Sequence, residues 1–527
     1  MSKRYDAIVI GAGHNGLVCA WYLARAGKRV LVLERREVVG GAAVTEEFAP
    51  GFRNSTASYT VGLMAPEIIA DMGLHDHGLR IVARLRDNFL PTEDGRYLLT
   101  GAGQTKATIA AFSANDAAAL PEYQRRVQAV ADLLGDLAGR VPPDAGGGPA
   151  DLLRALDQGR RFLKLGEEAR RDAIDLLTRS AREFLGQFFE NPHVQALFGF
   201  DATVGHYASP DTPGSAYVLL HHVFGEVNGE KGRWGHAIGG MGAITQAMAR
   251  ACAAAGVEIR TDAPVARVIS ERGSAIGVEL ADGSVIVAPL IAANCHPRTL
   301  LLDMVDEAEI DPPLRKRIAH HANGSGTLRM NVALSALPRF TALPEPGEHL
   351  SSGIILAPTL DYMDRAYLDA RAHGWSRAPI VEMLIPSTLD DSLAPPGQHV
   401  ASLFAQQFDP ALDWTDAQRD AAADAVLATV ERFAPGFRAS IVGQMVLTPR
   451  ELEARFGLVG GDIFHGRMSL DQLWAARPVL GLGAHRMPLK GLWLCGSGAH
   501  PGGGVSGRPG RNCARVMLGR RFRGRTV

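Results

Sequence analysis

The sequence predicts an α/β fold in which a parallel sheet packs against helices, and three observations favour it. Residues 5–10 form a short, almost entirely apolar run, which is typical of a strand buried on both faces of a parallel sheet. A glycine-rich turn follows at once and leads into a helical pattern of apolar residues. A second succession of strand, glycine-rich turn and helix lies near the C-terminus, at residues 491–517. We therefore expect the first and last segments to meet in one sheet.

The composition of the 527 residues is that of a globular protein, because 46% are hydrophobic and 21% are charged. These values exclude disordered, collagen-like and disulfide-scaffold proteins. The formal net charge of -1 gives no electrostatic reason to expect a nucleic-acid partner. The main basic run is read as a solvated terminus, with attraction to anionic lipid as the alternative. It consists of Arg515, Arg520, Arg521, Arg523 and Arg525.

The cysteine pattern argues against a disulfide framework and a zinc ribbon, because the 5 cysteines are odd in number and form no CxxC pair. The first residues show no apolar region followed by a cleavage site, so we expect no secretory signal. No stretch approaches the ~20 apolar residues that a membrane-spanning helix needs. We therefore expect a cytoplasmic protein that is soluble or attached peripherally to a membrane.

The first glycine-rich turn has the GxGxxG pattern of a dinucleotide site. Gly11 permits the tight turn, Gly13 lets the backbone approach a pyrophosphate, and Gly16 lets helix and strand pack closely. His14 and Asn15 lie within the turn, and the apolar residues from Leu17 onward suit a helix that packs on the sheet. Its first turn offers unpaired backbone N–H groups and the positive end of the helix dipole to the phosphates.

An acidic residue follows the second predicted strand, at residues 29–33. Glu34, next to Arg35, is placed to accept hydrogen bonds from ribose hydroxyls, and its charge would repel a 2′-phosphate. Gly40 and Gly41 form a second turn of small residues, which lets the backbone approach another part of an extended cofactor. An ordinary loop is the alternative for that turn. Strand, turn, helix, strand and acid in this order predict a dinucleotide site.

The C-terminal glycine-rich segment follows a predicted strand at residues 491–496. It presents backbone N–H groups to a polar or negative group. Gly502, Gly504 and Gly507 formally repeat GxGxxG, but Pro501 interrupts the junction between strand and turn, and no acid follows at the ribose distance. We therefore expect no second dinucleotide domain and no stably docked NAD domain.

Residues 6–41 and 492–507 resemble the phytoene desaturase-like branch of the FAD-dependent amine oxidase superfamily, in particular its pyridine nucleotide-disulphide oxidoreductase domain-containing protein two subgroup. Residues 239–244, 265–269 and 461–478 are similar as well. The resemblance implies a Rossmann-like FAD-binding domain interleaved with an α+β substrate-binding domain. We expect residues 1–75, 235–305 and 480–527 to form the first domain, and residues 76–234 and 306–479 to form the second.

The same resemblance implies FAD bound non-covalently in an extended pose. Val265 would meet the adenine through its backbone, while Gly496 and Ser497 would approach the ribityl chain. The Val505 amide, at a helix start, would face the pyrimidine edge of the flavin, where it stabilises negative charge. The expected FAD contacts are Gly11, Gly13, His14, Asn15, Gly16, Glu34, Arg35, Gly40, Gly41, Ala42, Val265, Gly496, Ser497, Gly504 and Val505.

Two positions differ from the amine oxidases of that superfamily. Amine oxidases carry an arginine directly after the glycine pair, where this chain has Ala42, and an acid after the late glycine, where it has Ser497. Both differences favour the desaturase-like branch. A disulfide reductase would need a redox cysteine pair after its first nucleotide unit, and only Cys19 lies there.

The implied activity is removal of hydride from a C–H bond of a largely apolar, isoprenoid- or carotenoid-like substrate, which leaves a double bond. Oxygen or a quinone would accept the electrons, since no NAD domain is expected. Three alternatives stay open: an FAD-dependent amine oxidase, a flavin-dependent isomerase, and a flavin-bearing interaction protein without turnover.

Two histidines are candidates for steering substrate or a proton, because the resemblance places their glycine-containing motifs near the flavin. They are His465 and His500, and packing or cofactor support is the alternative role for both. No HExxH motif occurs, and we expect no metal site.

The middle of the chain contains long helical patterns. Residues 121–137 and 151–189 are predicted helices, separated by a linker rich in proline and glycine at residues 141–149. Residues 285–293 are predicted as one apolar strand that leads back to the nucleotide sheet.

Overall fold

A computed structural model describes residues 4–144 and 147–519. Four arginines of the predicted basic run, at positions 520, 521, 523 and 525, lie outside this part. The strands are β1 (Ala7–Ile10), β2 (Val30–Leu33), β3 (Thr45–Ala49), β4 (Phe52–Ser55), β5 (Ile81–Ala83), β6 (Asn88–Pro91), β7 (Tyr97–Leu99), β8 (Glu226–Val227), β9 (Glu230–Lys231), β10 (Gly235–Ala237), β11 (Glu258–Arg260), β12 (Val265–Glu271), β13 (Ser274–Leu280), β14 (Val285–Val287), β15 (Ile291–Ala293), β16 (Thr327–Leu334), β17 (Gly353–Leu356), β18 (Trp375–Leu384), β19 (His399–Phe408), β20 (Ile441–Leu447) and β21 (Leu492–Leu494).

Helices connect these strands and cover their faces. They are α1 (His14–Arg25), α2 (Pro66–Asp71), α3 (Thr105–Ala110), α4 (Ala114–Ala138), α5 (Pro149–Leu163), α6 (Glu167–Thr178), α7 (Ala181–Leu185), α8 (Pro192–Gly199), α9 (Ala216–Val223), α10 (Met241–Ala254), α11 (Pro312–Ala319), α12 (Leu360–His373), α13 (Asp416–Phe433), α14 (Pro449–Phe456) and α15 (Arg508–Leu518). Within the described ranges, no helix combines the length and the apolar character that crossing a bilayer requires.

A five-stranded parallel sheet joins the two ends of the chain. Its strand order is β11-β2-β1-β15-β21, and Ile8 pairs with Leu31 on one side and Ile291 on the other. Every residue of β1 and β2 is buried, as expected for strands covered on both faces. The first and last segments therefore share one sheet, as predicted. The domain boundaries themselves stay a prediction.

The second large sheet has seven strands in the order β20-β16-β19-β18-β17-β6-β7. Its neighbouring strands are antiparallel except β17 and β6, which run parallel. Helix α13 contributes to the core on one face, and helices α4 to α9 with α12 contribute to the core on the other. The two long strands β18 and β19 are almost entirely buried.

The helical middle differs from the prediction at two places. Helix α4 begins at Ala114, capped by the side chain of Ser113, and it includes Pro121 in its interior. The sequence predicts that this helix starts at Pro121, but the loss of one backbone N–H at that proline does not end the helix. The predicted helix at residues 151–189 is divided into α5, α6 and α7, because Gly166 and Ser180 begin new helices.

The predicted strand at residues 285–293 is also divided. Strand β14 belongs to a three-stranded antiparallel sheet with β12 and β13, whereas β15 pairs with β1 in the parallel sheet. Pro289 lies between the two strands and supplies no N–H to a ladder. The return to the nucleotide sheet is confirmed for β15 alone.

Candidate active site

A single cavity of about 670 Å³ extends from the glycine turn after β1 to the seven-stranded sheet. That volume lies within the range of about 300–1,000 Å³ that is typical of ligand sites. We call its first part the nucleotide half, and it is lined by Gly11, Gly13, Glu34, Arg35, Gly40 and Val265. We call its second part the substrate half, and it is lined by Tyr59, Arg84, Phe200, Trp234, Glu382 and Phe404.

Close backbone packing shapes the first glycine turn. The Gly11 N–H donates to the Leu33 carbonyl at 2.7 Å, which ties the turn to β2. A Cβ added to Gly16 would lie 2.1 Å from the Gly11 carbonyl oxygen, and one added to Gly13 would lie 2.6 Å from the Asn294 side-chain nitrogen. The third glycine therefore allows helix α1 to pack against the turn, as the sequence predicts.

The carboxylate of Glu34 accepts two backbone hydrogen bonds beside this turn. One of its oxygens accepts from the Ala12 N–H at 2.8 Å, and the other accepts from the Arg36 N–H at 3.0 Å. Glu34 is only 5% exposed, and it lines the cavity together with Arg35. The carboxylate is thus fixed beside the glycine turn, where a ribose would lie.

The second glycine turn, at Gly40 and Gly41, packs directly on the first. The Gly40 N–H donates to the Ala12 carbonyl at 2.9 Å, and a Cβ on Gly41 would lie 3.4 Å from the Gly13 Cα. Gly40 has φ +128°, and a side chain there would also meet the Thr245 hydroxyl. The turn lines the cavity, so it is part of the site rather than an ordinary surface loop.

The C-terminal segment reaches the same cavity. The His14 imidazole lies 3.2 Å from the Gly504 carbonyl, and the Asn15 side chain donates to the Ser497 hydroxyl at 3.2 Å. Ser497 and Val505 line the cavity, as does Ala42. The residues predicted from both ends of the chain are therefore brought together, apart from Asn15, Gly16 and Gly496, which pack behind the lining.

The expected position of Val505 at a helix start is wrong. Helix α15 begins at Arg508, and its N-terminal flank is Gly507 in the left-handed region at φ +74°. Because Gly507 is not helical, the helix cannot extend back to Val505, which precedes its first residue by three positions. Its amide does not belong to the first helical turn.

The two candidate histidines lie in different places. His465 lines the cavity, and its ring packs 5.4 Å from that of His296. His500 is buried outside the lining, where its ring nitrogen lies 3.1 Å from the Leu137 carbonyl at the end of α4. The structure therefore gives no support to a catalytic role for His500.

The cavity histidines are neutral at physiological pH. Burial lowers the pKa of His465 to about 3, and the positive charge of Arg477 adds to this shift. Burial also lowers the pKa of His14 to about 4, against the opposing effect of its contact with the Gly504 carbonyl. A neutral imidazole with such a low pKa is a weak base near neutral pH, so His465 is better suited to packing and hydrogen bonding.

The substrate half contains polar and charged residues that were not predicted from the sequence. The Tyr59 hydroxyl donates to the Glu382 carboxylate at 2.5 Å, and the Tyr59 ring stacks on Phe404. The Arg84 guanidinium donates to the Thr60 hydroxyl at 2.5 Å. These residues belong to no common motif. The one local signal is Glu382, an acid within the otherwise apolar end of strand β18.

The nucleotide half fits FAD. Glycines at positions 11, 13, 40 and 41 keep this part of the lining free of side chains, as a pyrophosphate requires, and Glu34 supplies a fixed carboxylate acceptor beside them. Val265, Ser497 and Val505 line the same cavity. Among the residues that the structure describes, no group of three or more His, Cys, Asp or Glu side chains could hold a metal ion.

The chain is similar to several known proteins. A family model described as flavin containing amine oxidoreductase matches residues 16–450. Pyridine nucleotide-disulfide oxidoreductase domain-containing protein 2 of Rattus norvegicus is 40% identical, with 98% of this chain and 94% of its own covered. The lycopene-forming phytoene desaturase of Pseudescherichia vulneris is 26% identical, with 95% and 96% covered. A solved oxidoreductase structure from Methanosarcina mazei has a TM-score of 0.60 at 16% identity, with 97% and 99% covered.

These findings confirm the predicted α/β fold and the predicted cofactor, FAD. The matched family spans most of the chain, and the rat protein matches it nearly end to end. The chain therefore belongs to the flavin containing amine oxidoreductase family, and it is an FAD-dependent oxidoreductase.

Proposed function

We propose that this enzyme removes hydride from a C–H bond of a largely apolar substrate and leaves a double bond. The observation that carries the proposal is the continuity of the cavity, which leads from the glycine turns to walls built of apolar side chains. Those walls include Leu63, Phe200, Val204, Trp234 and Phe404. The similarity to a phytoene desaturase supports the same reaction class.

Bound FAD supplies the hydride acceptor. The chain then has to bind the substrate, hold the reacting carbon close to the flavin and exclude water. Apolar walls perform the binding, and His465 packs at the junction of the two halves. The C–H bond breaks with its electron pair going to the cofactor, and the neighbouring carbon then gives its proton to solvent water, so neither cavity histidine has to act as the base.

We propose for the nucleotide half the contacts that the sequence predicts. Gly11 and Gly13 hold the pyrophosphate, Glu34 holds the adenosine ribose, and the backbone at Val265 meets the adenine. Ser497 and Val505 lie on the flavin side. Oxygen or a quinone is the electron acceptor in this proposal, and the cavity walls at Ala42 and Ser497 replace the charged residues of amine oxidases.

The experiment is anaerobic mixing of the FAD-loaded protein with isoprenoid hydrocarbons, saturated analogues and amines of similar size. We expect the isoprenoid to bleach the oxidised flavin absorbance and to yield a product with one more double bond. Bleaching by amines alone would overturn the proposal in favour of an amine oxidase. A rearranged product without net oxidation would favour an isomerase, and intact flavin that no compound reduces would favour a binding role.

A further inference from the structure

We propose that the substrate carries an anionic end group of the carboxylate class, and that Arg84 binds it in the substrate half of the cavity. The inference rests on the proposed function, because it takes this half as the substrate site. It adds a polar end to a substrate that is otherwise apolar. The juxtaposition that carries it is a buried guanidinium in the lining of a mostly apolar cavity that forms a hydrogen bond to a neutral hydroxyl and, among the described residues, no ion pair with a carboxylate.

Arg84 is 5% exposed, and that residual surface faces the cavity it lines. Its guanidinium donates to the Thr60 hydroxyl, a neutral group, and in the described part of the chain no carboxylate forms an ion pair with it. A buried cation without a partner is costly, so such groups are paired or bind a ligand. An anionic ligand would supply the missing partner.

A second buried cation acts on Glu382 together with Arg84. Arg329 is a second buried guanidinium, 1% exposed, which lies 4.5 Å from the Tyr59 ring centre. Two of its nitrogens, Nε and Nη1, have no hydrogen-bond partner. The Asp87 carboxylate pairs with Arg233 at 3.2 Å, and it acts on Arg84 through space without forming an ion pair with it.

Asp201 and Glu382 are two of the carboxyl groups in the lining. Burial raises the pKa of Asp201 well above its ordinary value, and the nearby Glu382 adds to the shift, which favours the protonated form of Asp201. Burial also raises the pKa of Glu382, while the Tyr59 hydroxyl and the charges of Arg84 and Arg329 oppose that rise. Glu382 accepts from the Tyr59 hydroxyl and forms no ion pair with Arg84, so the Arg84 guanidinium has donors left for a ligand.

The geometry favours an acid over an amine. A planar guanidinium matches the two oxygens of a carboxylate, and the charge-assisted pair is stronger than a hydrogen bond between neutral groups. An ammonium group would have to approach Glu382 beside the positive charge of Arg84. Around these groups, Phe200, Trp234 and Phe404 provide apolar surface for the remaining substrate. The implied substrate is an amphipathic acid.

The test uses binding to the FAD-loaded protein and needs no turnover. Geranic acid, geraniol and geranylamine share one isoprenoid body and differ in the end group. Each is titrated anaerobically while the perturbation of the flavin absorbance spectrum is followed. We expect the acid to bind at least about tenfold more tightly than the alcohol, and the amine to bind more weakly than both. Equal binding of acid and alcohol, or tightest binding of the amine, would overturn the inference.

Three variants assign the effect to its residues. Arg84→Gln should abolish the preference for the acid and leave the affinity for geraniol unchanged. Glu382→Gln should increase the preference, because it removes a competing negative charge; a merely structural role would weaken all three ligands. Arg86→Gln is the matched control, since Arg86 is also buried but lies outside the lining and pairs with Glu348 at 2.7 Å. Retained preference in Arg84→Gln would contradict the assignment.

The outcome separates this inference from the proposed function. Acid preference in a protein whose flavin no substrate reduces would support the subsite and overturn only the reaction. Flavin reduction by a hydrocarbon without any acid preference would overturn only the subsite. If Arg84→Gln loses FAD, two results still test the inference: the ranking of the three ligands in the unchanged protein and the change in that ranking in Glu382→Gln.

Discussion

The two halves of the cavity are built in different ways. The nucleotide half is shaped by backbone: glycines at van der Waals distance, carbonyls that accept from N–H groups, and one carboxylate that fixes a turn. The substrate half is shaped by side chains on the seven-stranded sheet and its neighbours, including Tyr59, Arg84 and Glu382. An added Cβ would clash at Gly13, Gly16 and Gly40 in the first half, whereas the second half depends on matched polar partners. The difference predicts different consequences of mutation.

The largest expected effect is in the nucleotide half, for Gly16→Ala. The added Cβ would lie 2.1 Å from the Gly11 carbonyl oxygen, which is backbone and cannot turn away. Overpacking of this kind costs about 1–3 kcal/mol or more, so we expect roughly a tenfold to hundredfold loss of FAD affinity. The measurement is FAD content and the Kd for FAD of the reconstituted protein.

The matched control is Gly159→Ala. Gly159 lies within α5, and a Cβ there would meet no atom within 4 Å. Alanine should leave FAD binding unchanged and favour the helix slightly, by about 0.5–1 kcal/mol. Equal FAD retention by both alanine variants would show that the close contact at Gly16 is unimportant.

A side-chain effect is expected in the substrate half, for Tyr59→Phe. The change removes the hydroxyl that donates to the buried Glu382 carboxylate. An unpaired buried acceptor costs about 1–3 kcal/mol, so the Tm should fall while FAD content stays normal. Tyr207→Phe is the control, because the Tyr207 hydroxyl has no hydrogen-bond partner and its removal should leave the Tm nearly unchanged. A similar loss of Tm in both variants would contradict the importance of the Tyr59–Glu382 bond.

A smaller effect on the nucleotide half is expected for Glu34→Gln. Glutamine keeps one oxygen acceptor, so either the Ala12 or the Arg36 N–H loses a charged partner, and the ribose loses one as well. A lost charge-assisted bond of about 1.5 kcal/mol corresponds to about tenfold weaker FAD binding, measured by flavin fluorescence titration. Glu37→Gln, at an exposed position nearby, should bind FAD normally. Unchanged affinity in Glu34→Gln would remove this carboxylate from the site.

The smallest effect is expected at the junction of the halves, for His465→Gln. Because burial lowers the pKa of His465 to about 3, its imidazole stays neutral as pH falls from about 8 to about 5. The variant should change the rate of flavin reduction by less than about tenfold and leave the shape of its pH profile unmoved. Stopped-flow flavin reduction across this pH range is the measurement. Loss of an ionisation in the variant would assign acid–base catalysis to His465.

The same comparison explains what could be predicted from the sequence. Gly11, Gly13, Gly16 and Glu34 act through local spacing, and a strand, a turn and a helix fix that spacing within one segment. The predictions failed where a local signal was overruled by packing: Pro121 lies within α4, and residues 285–293 divide between two sheets. The division of residues 151–189 did have a local signal, the capping box of Ser180 and Glu183.

By itself, the sequence determined the nucleotide half, the parallel sheet and the cofactor class, because backbone chemistry at a glycine turn is encoded by consecutive residues. Only the tertiary structure decided the substrate half. Tyr59 and Glu382 are 323 positions apart, and they meet because strand β18 of the seven-stranded sheet lies against the segment that follows β4. The protonation and hydrogen bonding of a buried charged group depend on its neighbours, and the fold rather than position along the chain sets those neighbours.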